Sequence, residues 1–345
     1  MLLNSKTDLP GEVKTIPFRP RRLKTSESLR QLLQGQRLQI TDLVQPLFVV
    51  EGNGAPQAIK SMPGIDRFPL QSLLKECETL LNLGIKAVSL FPCIDTQYKS
   101  PCAKEALNPD TIILKAIRLL KEHFPELTLF CDIALDPYTT HGHDGVLNAQ
   151  GTDVDNDASV ALLAQQACLV AEAGGDFVAP SDKMDGTVGA LRSALDAKGF
   201  PYVGILAYTA KFNSSLYGPF RDAVGSSQGK RTYLNKSSYQ LHPANTREAL
   251  RLAKLDEAQG ADMLMVKPAG AYLDIIYQYR QMTHLPIVAY QVSGEYAQIH
   301  AAAKQGYLSL ESTRDESLIA IKRAGADIIY TYFAKSIAQS LHSQN

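Results

Sequence analysis

Short apolar runs alternate with longer amphipathic stretches from residue 45 almost to the end of the chain. Eight runs are nearly continuous in apolar residues, which is typical of strands buried on both faces of a parallel sheet. They are PLFVV (46–50), AVSLF (87–91), TLFCDIAL (128–135), DFVAPS (176–181), YVGILAY (202–208), DMLMVKP (262–268), PIVAYQVS (286–293) and DIIYTYF (327–333). Most helical stretches between them, such as ASVALLAQQACLVAEAGG, end in a glycine that signals a helix C-cap. The pattern predicts the α/β class and a single (β/α)8 TIM barrel.

The first 36 residues differ from the rest of the chain. They are polar and rich in Arg and Pro, as in FRPRRLKTSESLRQLLQ, and contain one short helical candidate near 25–35. We therefore expect residues 1–36 to form an extended N-terminal arm and residues 37–345 to form the barrel. The arm is either a frayed tail or a strap around a neighbouring subunit, and the pattern does not choose between these interpretations.

Composition excludes several classes of function. The chain has 35 basic and 35 acidic residues, so no global field draws it to nucleic acid or to an anionic membrane. No apolar run approaches the roughly 20 residues that a membrane-spanning helix needs. The five cysteines are odd in number and form no C-x-x-C pair, which is typical of reduced thiols. These features predict a soluble cytoplasmic protein. The absence of G-x-G-x-x-G and P-loop motifs gives no support to nucleotide binding.

Polar side chains follow the predicted strands at the points where the strands end. In a barrel of this type, catalytic residues lie at the carboxyl ends of the strands. The polar residues at these ends include Asp132, Asp136, Asp144, Ser181, Lys211, Lys267, Ser293 and Tyr332. The sequence therefore predicts one active site at this mouth of the barrel.

Two lysines at strand ends are candidate nucleophiles. Lys267 closes the apolar run ADMLMVKPAG, where desolvation favours the neutral amine, and a neutral amine can form a Schiff base with a carbonyl. Lys211 follows the neighbouring strand, and we expect each lysine to lower the pKa of the other by like-charge repulsion. One such lysine indicates an aldolase-like enzyme, whereas two indicate chemistry on two carbonyl substrates. The alternative is that such a lysine has no catalytic role and extends along the barrel wall so that its charged amine reaches solvent.

The segment 211–243 has no sustained apolar period. A loop of this length in a compact barrel is typical of an active-site lid. Beyond Lys211 it carries Arg221, Lys230, Arg231 and Lys236 against the single acid Asp222. Because Arg can hold a carboxylate through two hydrogen bonds, the segment favours a carboxylate or phosphate substrate. A solvated basic loop is the alternative.

Four long motifs together resemble the 5-aminolevulinate dehydratase (porphobilinogen synthase) family. They are DPYTTHGHDG, AKFNSSLYGPFRDA, GADMLMVKPAGAYLDI and YQVSGEYA, and the resemblance extends from about residue 17 to 335. It implies a barrel with an N-terminal arm, commonly assembled into homo-octamers. It also implies a lyase of tetrapyrrole (haem and chlorophyll) biosynthesis with no organic cofactor. The implied reaction condenses two 5-aminolevulinate molecules into porphobilinogen and releases two waters.

The resemblance assigns a role to each candidate residue. Lys211 and Lys267 match the two Schiff-base lysines of the family. Lys267 would hold the propionate-side substrate, whose carboxylate would meet Ser293 and Tyr332.

Lys211 would hold the acetate-side substrate, whose carboxylate would meet Arg221 and a basic residue of the lid. That residue is Lys236 in our alignment, with Arg231 as the alternative. The supporting acids and hydroxyls are Asp132, Asp136, Asp144, Ser181 and Tyr217.

The expected metal differs from that of zinc-type relatives. Those relatives place three cysteines at the positions of Ala134, Asp136 and Asp144. Without a thiolate, the remaining hard oxygen ligands favour magnesium or no metal at all, and we do not expect zinc. His141 and His143 form an H-x-H pair, but two histidines are not a four-ligand set. We expect the aspartates to handle substrate amino groups or protons.

Three further positions depart from the family pattern. Leu252 stands where magnesium-activated relatives have a glutamate, so no distal magnesium site is predicted there. In SDKMDGTVGA, Lys183 replaces an apolar residue and Thr187 replaces an arginine. The sequence itself assigns no effect to these two substitutions.

Two alternative functions are open from the residues themselves. A class I aldolase acting on another keto acid needs only one lysine. A binding barrel without turnover needs none, and the presence of the full set of candidate residues argues against it.

Overall fold

The computed structural model describes residues 18–225 and 236–343, and the chain divides after Arg37 into two units. In the first unit a 3-10 helix, Pro20–Lys24, precedes helix α1, Glu27–Leu32. The Ser26 side chain caps α1 by accepting a hydrogen bond from the Leu29 N–H at 3.2 Å. The short helix predicted near 25–35 is therefore present, and the division lies next to the predicted boundary.

The second unit contains alternating strands and helices. Its described strands are β1 Leu43–Val50, β2 Gln57–Ala58, β3 Asp66–Phe68, β4 Ala87–Cys93, β5 Thr128–Ile133, β6 Phe177–Pro180, β7 Gly204–Lys211, β8 Met263–Lys267, β9 Ile287–Gln291 and β10 Ile328–Thr331. Its described helices are α2 Leu70–Asn82, α3 Ile112–His123, α4 Asn156–Ala173, α5 Thr187–Ala197, α6 Gly218–Ala223, α7 Thr246–Ala258, α8 Leu273–Met282, α9 Ser293–Lys304, α10 Leu310–Ala324 and α11 Ala334–Ser343.

Eight parallel strands close on themselves. Strand β1 pairs with β4, the order continues through β5 to β10, and β10 pairs back with β1. Strands β2 and β3 form a small antiparallel pair beside β1. Each of the eight predicted runs overlaps one barrel strand, so the predicted (β/α)8 barrel is confirmed.

The core lies inside the barrel and between the strands and the outer helices. Strand β9 is buried along its whole length, as expected for a strand covered on both sides. Helix α3 buries Ile113, Ile117 and Leu120, which share one helix face because they lie four and three positions apart. Helix α4 ends at Ala173 and is capped by Gly174, whose φ of 102° is accessible to glycine at little cost.

The predicted lid contains regular structure in its described part. A 3-10 turn, Ser215–Tyr217, leads into α6, which carries Arg221. A six-residue helix is too short to show a hydrophobic period, so the pattern of 211–243 gave no sign of it. Lys230 and Arg231 lie outside the described residues. Over residues 18–225 and 236–343, no helix has the length and apolar character needed to cross a membrane.

Candidate active site

The carboxyl ends of the barrel strands enclose a polar cavity. It brings together most of the predicted site residues, namely Asp132, Asp136, Asp144, Ser181, Lys211, Tyr217, Arg221, Lys236 and Lys267. They come from β5, β7 and β8, from the loops after β5 and β6, and from the segment that includes α6. The convergence follows from the topology, because parallel strands of a barrel all end at one mouth.

The Lys267 amine lies among aromatic rings. Its Nζ is 4.5 Å from the ring centroid of Tyr290, 5.0 Å from Tyr208, 5.2 Å from Phe220 and 5.3 Å from Tyr217. Burial is the main reason that its pKa falls to about 7, and the positive charge of the neighbouring lysine lowers it further. The predicted direction is confirmed for Lys267. A large fraction of this amine is therefore neutral, and hence nucleophilic, near pH 7.

The Lys211 amine is surrounded by oxygen atoms. It donates hydrogen bonds to the Ser181 carbonyl and, at 3.5 Å, to a carboxylate oxygen of Asp144. Burial alone would lower its pKa, but the charges of Asp144 and Asp136 outweigh burial and raise the pKa. The prediction that both lysines have lowered pKa values is wrong for Lys211. The carboxylates, which come from distant parts of the sequence, decide the direction.

Asp144 is the ionic centre of the cavity. Besides Lys211, its carboxylate accepts hydrogen bonds from Lys236 Nζ at 3.2 Å and from Gln240 Nε2 at 3.3 Å. Burial by itself would raise the pKa of Asp144, but the two lysines lower it below its usual range. Asp144 is therefore a carboxylate that neutralises two cations in a buried place.

Asp132 and Asp136 have the opposite character. Burial, followed by the charge of Asp136, raises the pKa of Asp132 to about 7. Burial and the charge of Asp144 raise the pKa of Asp136 as well. Asp132 lies next to the carboxyl end of β5, and the nearby Ser181 side chain offsets part of the rise in its pKa. A carboxyl group that titrates near neutrality can both accept and donate protons under physiological conditions.

Ser293 and Tyr332 lie behind the aromatic rings and do not line the cavity. The Ser293 hydroxyl accepts a hydrogen bond from the Phe220 N–H at 2.9 Å. The Tyr332 hydroxyl is 2.9 Å from the Tyr290 hydroxyl, and its ring stacks on Phe48 with an interplanar angle of 9°. Both side chains are thus one layer away from Lys267, on the side where Phe220 and Tyr290 contact it.

The acidic residues do not present the ligand set of a zinc site. Ala134, one of the three positions where zinc-type relatives have cysteine, has no donor atom, and Asp144 is already bonded to lysines. Within the described ranges, 18–225 and 236–343, no three His, Cys, Asp or Glu residues are grouped as a metal would need. Zinc in proteins is held mainly by Cys and His side chains, and none of the three positions supplies either of them.

The histidines of the H-x-H pair bond to separate partners. His143 Nδ1 lies 3.0 Å from the Tyr239 hydroxyl, whereas His141 Nε2 lies 3.2 Å from the Pro101 carbonyl. Leu252 is on α7 and packs against the apolar core.

Sequence reasoning missed the aromatic surroundings of Lys267 and the amide of Gln240. Tyr208 and Tyr290 lie on strands, where tyrosine usually serves packing, and Phe220 belongs to the short helix α6. One signal was available, because Tyr290 lies three residues before Ser293 at a strand end that already carried candidate residues.

Comparison with known proteins shows the family of this chain. A family model described as delta-aminolevulinic acid dehydratase matches residues 17–340. The delta-aminolevulinic acid dehydratase of Chlamydia pneumoniae is 50% identical over 329 residues, which cover 95% of this chain and 97% of that protein. The enzyme of Escherichia coli (strain K12) is 48% identical over 322 residues, covering 93% and 97%.

A solved structure gives the same result at the level of the fold. The crystal structure of delta-aminolevulinic acid dehydratase (porphobilinogen synthase) from Toxoplasma gondii ME49, in complex with the reaction product porphobilinogen, matches with a TM-score of 0.93 at 46% identity. The match covers 96% of this chain and 93% of that chain. The chain belongs to the delta-aminolevulinic acid dehydratase family, the lyases that form porphobilinogen from 5-aminolevulinate in tetrapyrrole biosynthesis.

Proposed function

We propose that Lys267 and Lys211 each form a Schiff base with the ketone of one 5-aminolevulinate molecule. The observation that carries this proposal is the pairing of the two lysines across β7 and β8, which puts two amines at one cavity. In each step the Nζ lone pair attacks the carbonyl carbon and the nitrogen loses a proton. The carbinolamine hydroxyl then gains a proton and leaves as water, so an iminium bond replaces the carbonyl.

Lys267 reacts as the neutral amine. Its pKa of about 7, lowered mainly by burial, provides a nucleophile without a separate base. The iminium that forms is a cation, and the rings of Tyr290, Tyr208 and Phe220 at 4.5–5.2 Å stabilise a cation at this place. These contacts therefore offset part of the cost that burial imposes on a cation at this place.

Asp132 transfers protons in the condensation. An iminium draws electrons from the adjacent carbon, which eases loss of a proton there and the formation of the new bond. A carboxyl group with a pKa of about 7 is suited to take up that proton and to give it back to a departing hydroxyl. Asp144 stays ionised and balances the charge of Lys211 and Lys236.

The basic groups bind the two substrate carboxylates. Arg221 and Lys236 line the cavity and are assigned the acetate-side carboxylate. Ser293 and Tyr332 are assigned the propionate-side carboxylate. The Ser293 hydroxyl already accepts a hydrogen bond from the Phe220 N–H of α6. This assignment therefore requires α6 to shift when substrate binds. Substitution of Ser293 by Ala should raise KM more than it lowers kcat.

The chemistry requires no zinc, in our proposal. Cavity oxygens in place of thiolates support magnesium or no metal. Activity should survive chelation or return with magnesium. Recovery with zinc alone, in parallel additions of the two metals after chelation, would contradict the proposal.

We also infer a homo-octamer in the cytoplasm. Phe18, Leu23 and Leu32 of the arm are exposed, as expected of a surface that another subunit covers. The cysteines are free thiols, which suits a reducing compartment. Light scattering of the purified full chain tests the octamer, and fractionation of the source cells tests the location.

Trapping with borohydride tests the Schiff bases. Reduction in the presence of 5-aminolevulinate should leave a covalent adduct on the Lys267 peptide, and on the Lys211 peptide when both sites fill. Lys267→Ala and Lys211→Ala should each remove their own adduct and abolish turnover. Lys198→Ala, which removes an exposed lysine, is the matched control and should change neither measurement. Wild-type protein without any mass increase would contradict the proposal.

A further inference from the structure

Strand β7 contains one extra residue just before Lys211. On one side of the irregularity Ala207 pairs with Leu264, and on the other Ala210 pairs with Val266 and Lys211 with Lys267. Two residues of β7, Tyr208 and Thr209, therefore stand opposite the single residue Met265 of β8. This is a β-bulge, which changes the direction of the side chains that follow it.

The bulge determines which side chain faces Lys267. Without the extra residue, Ala210 would pair with Lys267, and Lys211 would be the next residue along β7. Because successive side chains of a strand point to opposite faces, the Lys211 amine would then point away from the barrel interior. The bulge is therefore the local feature that puts both amines in one cavity.

The Lys183 side chain bonds to the bulge. Its Nζ donates a hydrogen bond to the Thr209 carbonyl at 3.0 Å. Thr209 is fully buried, so its carbonyl has no access to bulk water and depends on a protein donor. The charge of the ammonium makes this hydrogen bond stronger than one between neutral groups.

The loop after β6 presents Lys183 in an unusual backbone conformation. The φ of Lys183 is 72°, in the left-handed region that non-glycine residues rarely adopt. The neighbouring Asp182 holds the turn, since its buried carboxylate accepts hydrogen bonds from the Met184 N–H at 2.6 Å and from the Thr187 hydroxyl at 2.9 Å. Lys183 and Thr187 thus belong to one hydrogen-bonded loop, although the sequence alone gave no reason for either.

The same loop also contacts Lys211 directly. The Ser181 carbonyl accepts a hydrogen bond from the Lys211 amine, two residues beyond Thr209 in β7. Two separate contacts, at Ser181 and at Lys183, therefore join this loop to the last residues of β7.

We propose that Lys183 is a positioning residue: its bond to the Thr209 carbonyl holds the bulge of β7 in the conformation that places the Lys211 amine beside Lys267. The inference rests on the proposed Schiff-base role of Lys211. Lys183 itself does not touch the substrate in this proposal. It acts on the second lysine and leaves the first unchanged, because Lys267 belongs to β8, which has no bulge of its own at this point.

Site-resolved trapping tests the proposal. The full-length variants are Lys183→Met, which keeps the length of the side chain without its charge, and Lys183→Gly, which removes the amine and relieves the positive φ. Lys183→Arg keeps a charged donor, and Lys198→Met alters an exposed lysine as a control. The rate of borohydride-trapped adduct formation from 5-aminolevulinate is measured for the Lys211 and Lys267 peptides by mass spectrometry, with kcat, KM and the thermal midpoint.

Lys183→Met and Lys183→Gly should slow adduct formation on Lys211 by about tenfold, the effect of one hydrogen bond from a charged donor. The rate on Lys267 should stay at the wild-type value, kcat should fall with Lys211, and Lys183→Arg should restore most of the rate. Unchanged rates at both lysines, or an equal loss at both with a lower thermal midpoint, would overturn the proposal. Wild-type protein that forms no adduct on Lys211 would refute the proposed function and this inference with it.

Discussion

Replacing Asp144 by asparagine tests how the cavity keeps two lysines charged in a buried place. The substitution preserves the shape of the side chain and removes one negative charge. Asp144 and Lys211 are both almost fully buried, with 2% and 7% of their side chains exposed, and their charged atoms are 3.5 Å apart. Lys236 lies 3.2 Å from the same carboxylate. The variant therefore leaves two cations without their common counter-ion.

The magnitude follows from the distance. At an effective dielectric constant of about 20, two unit charges 3.5 Å apart attract each other by about 5 kcal/mol. Asp132 and Asp136 remain near Lys211, and the lysine can also lose its proton, so the loss is smaller than the full attraction. We expect Asp144→Asn to lower the free energy of unfolding at pH 7 by about 3 kcal/mol, as for other buried ion pairs that lose one partner.

The dependence on pH gives the sign of each contribution. The folded pKa of Asp144 is lowered, so its contribution is present above about pH 4 and is lost as the pH falls through the folded value. The folded pKa of Lys211 is raised, so its contribution is present below about pH 10 and is lost as the pH rises through the folded value. The difference between wild type and variant should therefore be largest between about pH 5 and 10.

Urea unfolding across this pH range measures the difference, and trapping at Lys211 provides a second assay. Without Asp144 the pKa of Lys211 falls, so adduct formation on Lys211 should begin at lower pH than in the wild type. The exposed residue Asp157 supplies the control, since Asp157→Asn should change neither measurement. An Asp144→Asn variant with wild-type stability and a wild-type trapping profile at Lys211 would refute the electrostatic reasoning.

Further predictions concern Lys267, Gly270 and Arg221. Trapping of 5-aminolevulinate on Lys267 should rise with pH around a midpoint near 7, because burial lowers the pKa of this amine to about 7; a midpoint near 10, measured by mass spectrometry of the reduced peptide, would contradict this. Gly270→Ala should lower both kcat and the thermal midpoint, because the new Cβ would meet a Glu295 oxygen at 2.6 Å; calorimetry and steady-state assays that match the wild type would exclude the clash. Arg221→Lys should raise KM about tenfold by removing a two-point hydrogen-bond donor, with little change in Lys267 trapping, and an unchanged KM would remove Arg221 from carboxylate binding.

The repeating pattern of the sequence was sufficient for the barrel and for the position of its mouth. The topology alone brings the strand-end lysines, the aspartates and Ser181 together at this mouth. Their proximity could therefore be predicted without any distance from the structure. The pKa of Lys211 was out of reach, since its direction depends on Asp144, which lies 67 residues away in the chain and becomes a neighbour only after folding. The surroundings of Ser293 were hidden for a similar reason, because α6 is too short to leave a periodic signal and its Phe220 supplies the contact.

The two lysines show how one fold can give the same side chain two different states. Lys211 and Lys267 are register partners on adjacent strands and both are buried, so burial alone would make both amines neutral. The two lysines differ in the side chains that surround their amines. Aromatic rings surround Lys267 and leave the effect of burial in place, whereas carboxylates from the loop after β5 reverse it for Lys211. In the proposed mechanism, Lys267 attacks a carbonyl as a neutral amine near pH 7, whereas Lys211 must first release a proton. This difference gives the two substrate molecules unequal starting points, as expected when the product joins two copies of one substrate asymmetrically.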